Sequence, residues 1–201
     1  MITIDLGSAF VTNLILLVLA IFGFSRGFRY MVSIALFTTI GYLLTVQGGN
    51  YIVGLINRIW SSLPRLFALL TGGGGAEPLP PIIPDNLQAP LLLRVLVFLG
   101  LLAVGIGYAW PWEGKPLAGF QGFRQLRVLG ALTGLYIGVL LISALATFWS
   151  QASAVWEASP LLERALSGLP NYAGVVPSAI AAFFVLLVVV IILRFDRIWR
   201  A

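Results

Sequence analysis

A helix that crosses a bilayer needs about 20 consecutive, mostly apolar residues. With the charged residues taken as fences, five stretches of this chain meet that need and predict spans over about 6–25, 30–46, 90–112, 128–149 and 175–194. The first is not a cleavable leader: Asp5 stands where a basic segment is required, and Arg26 and Arg29 follow the apolar run. Between the second and third spans the pattern changes. Over 51–70, Gly54, Asn57, Arg58, Ser61, Arg65 and Ala68 recur at three- and four-residue intervals, giving one polar stripe on an otherwise apolar helix. Such a helix suits the membrane interface, with Trp60 at headgroup level, and Pro64 is expected to kink or split it. A lid or partner-binding helix is the alternative. Residues 71–89 lose all periodicity. Gly72 to Gly75 are flexible, and the prolines Pro78, Pro80, Pro81 and Pro84, with Pro90 at the border, favour an extended, semi-rigid chain, so this stretch reads as a linker. The predicted class is an all-α, polytopic membrane protein, with residues 1–201 as one transmembrane domain.

Composition agrees. Of 201 residues 60% are apolar and 9% charged, with a mean hydropathy of +1.02, whereas a soluble fold carries roughly 25% charged residues. The chain has no His and no Cys. Zinc sites of the usual kinds, iron–sulfur clusters, structural disulfides, thiol nucleophiles and His-dependent triads are thereby excluded. No catalytic residue, metal ligand or cofactor is assigned, and an enzyme is the least expected class. No acid lies deep in a span, so a relay of buried carboxylates has no candidate and gradient-driven transport is disfavoured.

A net charge of +5 is too thinly spread for nucleic acid and bears on topology instead. With the N-terminus outside, the inner segments hold Arg26, Arg29, Lys115, Arg124, Arg127, Arg194, Arg197 and Arg200. The outer side holds Arg58, Arg65, Arg94 and Arg164. Eight basic residues against four predict N-out and C-in. Arg194, Arg197 and Arg200 beside Trp199 read as an anchor to anionic headgroups of the inner leaflet, as do Arg26 and Arg29 at the inner end of the first span. Arg94, about one turn past Pro90, is the charge nearest the membrane interior; its long side chain is expected to snorkel to the interface.

The sharpest pattern is Gly130-x-x-x-Gly134-x-x-x-Gly138 in the fourth span. Glycines four apart share a helix face and let two backbones approach closely. The partner is either another span of the same chain or a second copy. Gly23 with Gly27, and Ala103 with Gly107, read as further helix-contact positions. Asn13, Ser33, Thr38, Thr39, Thr133, Tyr136 and Ser143 lie within spans and are expected to bond across helices, with a pore lining as the alternative.

Two stretches together resemble the bacterial CvpA (colicin V production protein) family. One is Ile4-Asp5 ahead of an apolar run that ends in Gly23-Phe24-Ser25-Arg26-Gly27-Phe28-Arg29. The other is Leu126-Arg127-Val128-Leu129-Gly130 continuing to Gly134 and Gly138. The resemblance covers most of 4–149 in outline; the basic residue frequent in the family before the last glycine is Ile137 here. It implies a small inner-membrane protein linked to toxin production or export and to envelope homeostasis, without assigned catalytic chemistry. Two other expectations remain beside it: an accessory subunit of a larger respiratory or photosynthetic membrane complex, and a small channel or transporter component. The expected partners are the bilayer, with anionic headgroups on its inner face, and other membrane subunits or a second copy. Nucleic acid is not among them.

Overall fold

A computed structural model describes residues 6–71, 77–83, 88–110, 124–154, 163, 166 and 168–198. Among them there is no strand. Six helices follow one another: α1 Leu6–Arg26, α2 Phe28–Tyr42, α3 Gly49–Thr71, α4 Gln88–Ala109, α5 Arg124–Ala152 and α6 Val176–Ile198, with a π-helical turn Leu43–Gln47 extending α2. A backbone surrounded by hydrocarbon must satisfy its own hydrogen bonds, which is why apolar runs of this length fold as helices. The stretches 9–26, 28–47, 90–109 and 127–152 are each long and apolar enough to cross a membrane. In α6 the apolar part among residues with described side chains is Val176–Ile192. The chain is a polytopic, all-α membrane protein.

Its centre is α5. At 29 residues it is the longest of these helices, about 44 Å at 1.5 Å per residue, and it is apolar all round, as a span must be that meets neighbours on some sides and lipid on others. Helices α1, α2, α4 and α6 all touch it. Toward the Arg26 end the core gathers Tyr30, Met31, Ile34, Ile137 and Phe183; toward the other end it gathers Tyr42, Leu91, Phe98, Leu140, Phe148 and Val176. The rings of Tyr136 and Phe183 stack 4.4 Å apart and tie α6 to α5.

The step from α1 to α2 takes a single residue. Gly27 adopts φ +87°, a region a side chain makes costly, and its N–H bonds the Gly23 carbonyl at 3.0 Å. Helix α3 stands apart from the bundle. Among its described residues only Gly49 and Val53 are buried, while Tyr51, Leu55, Ile59, Leu66, Phe67, Leu69 and Leu70 expose an apolar face. Pro64 does not split the helix: α3 runs through it. Proline removes the amide that would bond the Trp60 carbonyl; in the turn before it the hydroxyls of Ser61 and Ser62 bond the Arg58 carbonyl, at 3.1 and 2.7 Å. The linker also touches the fold. The Asn57 amide pairs with the backbone of Ile83 in both directions, each bond 3.1 Å.

Candidate functional site

Two polar systems run between the helices. The first links α2 to α5. Thr39 Oγ1 and Tyr136 Oη lie 2.7 Å apart, and Tyr42 Oη and Ser143 Oγ 3.0 Å apart. Thr38, Thr39 and Thr133 also bond the carbonyl four residues earlier in their own helices. Of the in-span polar residues singled out from sequence, Thr39, Tyr136 and Ser143 are thus brought together as cross-helix pairs. Asn13 is on an exposed face of α1.

The second system is centred on Arg94, and here the snorkelling expectation is corrected. Arg94 is only 8% exposed. Its Nε donates to the Thr45 carbonyl at 2.7 Å, its Nη1 donates to Gln151 Oε1 at 3.0 Å, and its guanidinium carbon lies 5.9 Å from the centre of the Phe148 ring. The cause is the way α2 ends. In the π-turn Gly48 N–H bonds the Leu43 carbonyl at 2.8 Å, the helix stops, and its last carbonyls have no amide to meet. A helix C-terminus carries partial negative charge, so a guanidinium arriving from α4 supplies both a donor and a matching charge. Gly49 provides the space, because a β-carbon there would overlap the guanidinium.

Beside Arg94 opens a cavity of about 870 Å³. Its walls come from the end of α2 (Gln47), the first turn of α3 (Gly49, Tyr51), the start of α4 (Pro90, Arg94) and the end of α5 (Ser150, Gln151), with Asn57 at the side. Among the described lining residues Arg94 is the only charged one. The arrangement offers a fixed cation, amide and hydroxyl groups, and a helix N-terminus. It holds no nucleophile–base pair, and no cluster of metal-ligating side chains occurs among the described residues.

The glycines of α5 serve a different purpose. A β-carbon at Gly130 would fall on the Gly23 carbonyl, and one at Gly23 on the Gly130 carbonyl. At Gly134 it would meet the Leu19 carbonyl, and at Gly138 it would lie 2.8 Å from Leu16 Cδ2. The stripe therefore faces α1 of the same chain. Gly27 takes part through its backbone, its carbonyl carbon lying 3.0 Å from a β-carbon built on Gly130. Ala103 and Gly107 are placed differently from the expectation. Both are on the exposed side of α4, with nothing within 4 Å of a β-carbon at Gly107. The contact with α2 runs two positions away through Gly105, against Phe37.

Of the expected anchors, Arg26 lies over the rings of Phe22 and Tyr30, at 5.3 and 5.8 Å. Arg29 is half-buried at the same end, and Trp60 is half-buried on α3. Arg194 and Arg197 belong to α6, with side chains outside the described set, and Trp199 and Arg200 lie outside the described residues. Thr45, Gln47, Gly49 and Gln151 were missed as site residues. The alternating topology places the end of α2, the start of α4 and the end of α5 in one layer, and that layering was the available signal. Comparison with protein-family models, with curated proteins and with solved structures returns no match.

Proposed function

We propose that this chain is a non-enzymatic, CvpA-like integral protein of the bacterial inner membrane that supports secretion or envelope homeostasis through what it binds at its outer end. In this reading there are five spans, N-out and C-in. The observation that carries it is the burial of Arg94 in the wall of the cavity. An ionisable group at membrane depth is expensive and marks function by default. The C-terminus of α2 offers Arg94 only a partial negative charge, and no acid is among the described lining residues; a permanent charge beside an open cavity is what a binding site requires. The resemblance in the first and fourth spans supplies the cellular setting.

The test is complementation of a deletion strain, read as envelope integrity and protein secretion. Wild type should restore both, whereas Arg94→Gln, at equal membrane abundance, should restore neither. Full rescue by Arg94→Gln would sink the proposal. The same cavity favours a second reading, a small channel or transporter component. Solute or ion flux from the purified chain in liposomes would decide for it.

A further inference from the structure

We infer that the Arg94 cavity is a binding site for a phosphate group, either free or carried on a lipid headgroup. The inference rests on reading the cavity as the working part of the protein and names its ligand class. Four observations converge. The guanidinium is held in place by two neutral acceptors, Thr45 O and Gln151 Oε1, so its position is fixed while no full counter-charge is set against it among the described lining residues. A guanidinium has five N–H donors, and those two bonds use only two of them. The first turn of α3 lines the same cavity through Gly49 and Tyr51; its Tyr51 and Ile52 amides bond the Gly48 carbonyl, at 2.9 and 3.3 Å, and the helix N-terminus adds positive potential. No carboxylate occurs among the described lining residues, so none of them supplies a counter-charge to Arg94. Planar, forked guanidinium groups match phosphate oxygens with two parallel bonds.

Size and position fit the class. A volume of about 870 Å³ lies in the range of small-molecule sites, about 300–1,000 Å³. It exceeds what inorganic phosphate fills and leaves room for an attached group. The other polar wall residues are engaged within the fold, Asn57 with Ile83 and Ser150 with the Thr147 carbonyl, so the free donors of Arg94 are what an anion would meet. The cavity borders α3, whose exposed Tyr51, Leu55 and Ile59 suit acyl chains beside it, so a phospholipid can enter headgroup first.

The experiment uses the full chain, purified in a maltoside detergent and phosphate-free buffer. Inorganic phosphate, glycerol 1-phosphate and dioleoyl phosphatidylglycerol are titrated, with dioleoylglycerol as the phosphate-free control. Binding is read from the thermal midpoint by tryptophan fluorescence and from native mass spectrometry. At least one phosphate-bearing probe should bind saturably, one per chain, and dioleoylglycerol should not. A response to inorganic phosphate identifies a free anion; a response to phosphatidylglycerol alone identifies a headgroup. Gln151→Glu places a carboxylate on the guanidinium without removing it. That variant should unfold no lower than wild type yet bind at least tenfold more weakly, and Arg94→Gln should abolish binding. Absence of saturable binding by wild type, or undiminished binding by Gln151→Glu, overturns the inference. The two proposals fail separately. Loss of complementation by Arg94→Gln without phosphate binding leaves the cavity essential but its ligand misassigned, whereas binding together with full complementation removes the cellular role alone.

Discussion

Gly134 is where the packing of α1 on α5 is most exposed to a single substitution. A β-carbon at this position would fall on the Leu19 carbonyl, with Ala20 Cα at 3.4 Å behind it. Both are backbone atoms of a helix and have no rotamer with which to retreat, so α1 as a whole must move. Overpacking of this kind costs about 1–3 kcal/mol. Against it stands the gain in helix propensity from glycine to alanine, about 1 kcal/mol. Gly107 separates the two terms, because nothing lies within 4 Å of its β-carbon; Gly107→Ala collects the propensity gain alone. The difference between Gly134→Ala and Gly107→Ala should therefore be the overpacking term of about 1–3 kcal/mol. On the scale of a chain this size, about 2–4 °C per kcal/mol, it becomes a separation of about 2–12 °C in the thermal midpoint. Gly134→Leu against Gly107→Leu should widen the gap. Ser143 is unsuitable as a bulk control, being fully buried and bonded to Tyr42. The chain's six tryptophans provide the readout, as fluorescence during heating in mild detergent. Matching midpoints for Gly134→Leu and Gly107→Leu would refute the close approach of α1 and α5.

Tyr42→Phe removes the bond to Ser143 and should cost about 0.6 kcal/mol, with about 1.7 as the upper end for such bonds in lipid; adding Ser143→Ala should cost little more, checked as a double-mutant cycle. Asn57→Ala deletes both bonds to Ile83 and should speed exchange of the Ile83 amide at least tenfold, read by hydrogen–deuterium exchange. Single cysteines at Glu77 and Ser153 should react with an impermeant maleimide added outside intact cells, while one at Ser25 should not; the opposite labelling would invert the orientation.

Much of the fold was legible because hydrocarbon imposes a simple rule: an uncharged run of sufficient length becomes a helix. The bounds of α1, α2 and α5 follow the charges at Arg26, Arg29 and Arg127 closely. What failed was rotation and ending. Ala103 and Gly107 have the right spacing for a contact, but in lipid both sides of a helix are apolar and the sequence carries no polar face to fix which side turns inward. The contact at Gly105 differs by two positions, about half a turn. The site was less legible still. Arg94 was visible as a charge near a span end, yet its burial depends on a carbonyl freed 49 positions earlier by the π-turn, and on Gln151 from a third helix. Such a site exists only once three helix ends meet.

The two ends of α2 close by different means, and the contrast can be measured. At its start, Gly27 donates to the Gly23 carbonyl and accepts from Met31, at 3.0 and 3.2 Å; the turn is satisfied within its own backbone. At its finish, the π-turn is stabilised from outside, by Arg94 on the Thr45 carbonyl and by Gln151 holding Arg94. Local closure survives a distant substitution, whereas tertiary closure does not. Arg94→Gln should therefore raise amide exchange over 45–49, where opening no longer has to break a charge-assisted bond, typically about 1.5–3 kcal/mol. At 1.4 kcal/mol per factor of ten, exchange there should accelerate by about one to two orders of magnitude. Gly27 and Met31, at the opposite end of the same helix, should keep their wild-type rates. Equal acceleration at both ends would mean that Arg94 stabilises the whole bundle, and that its role at the end of α2 is not a local one.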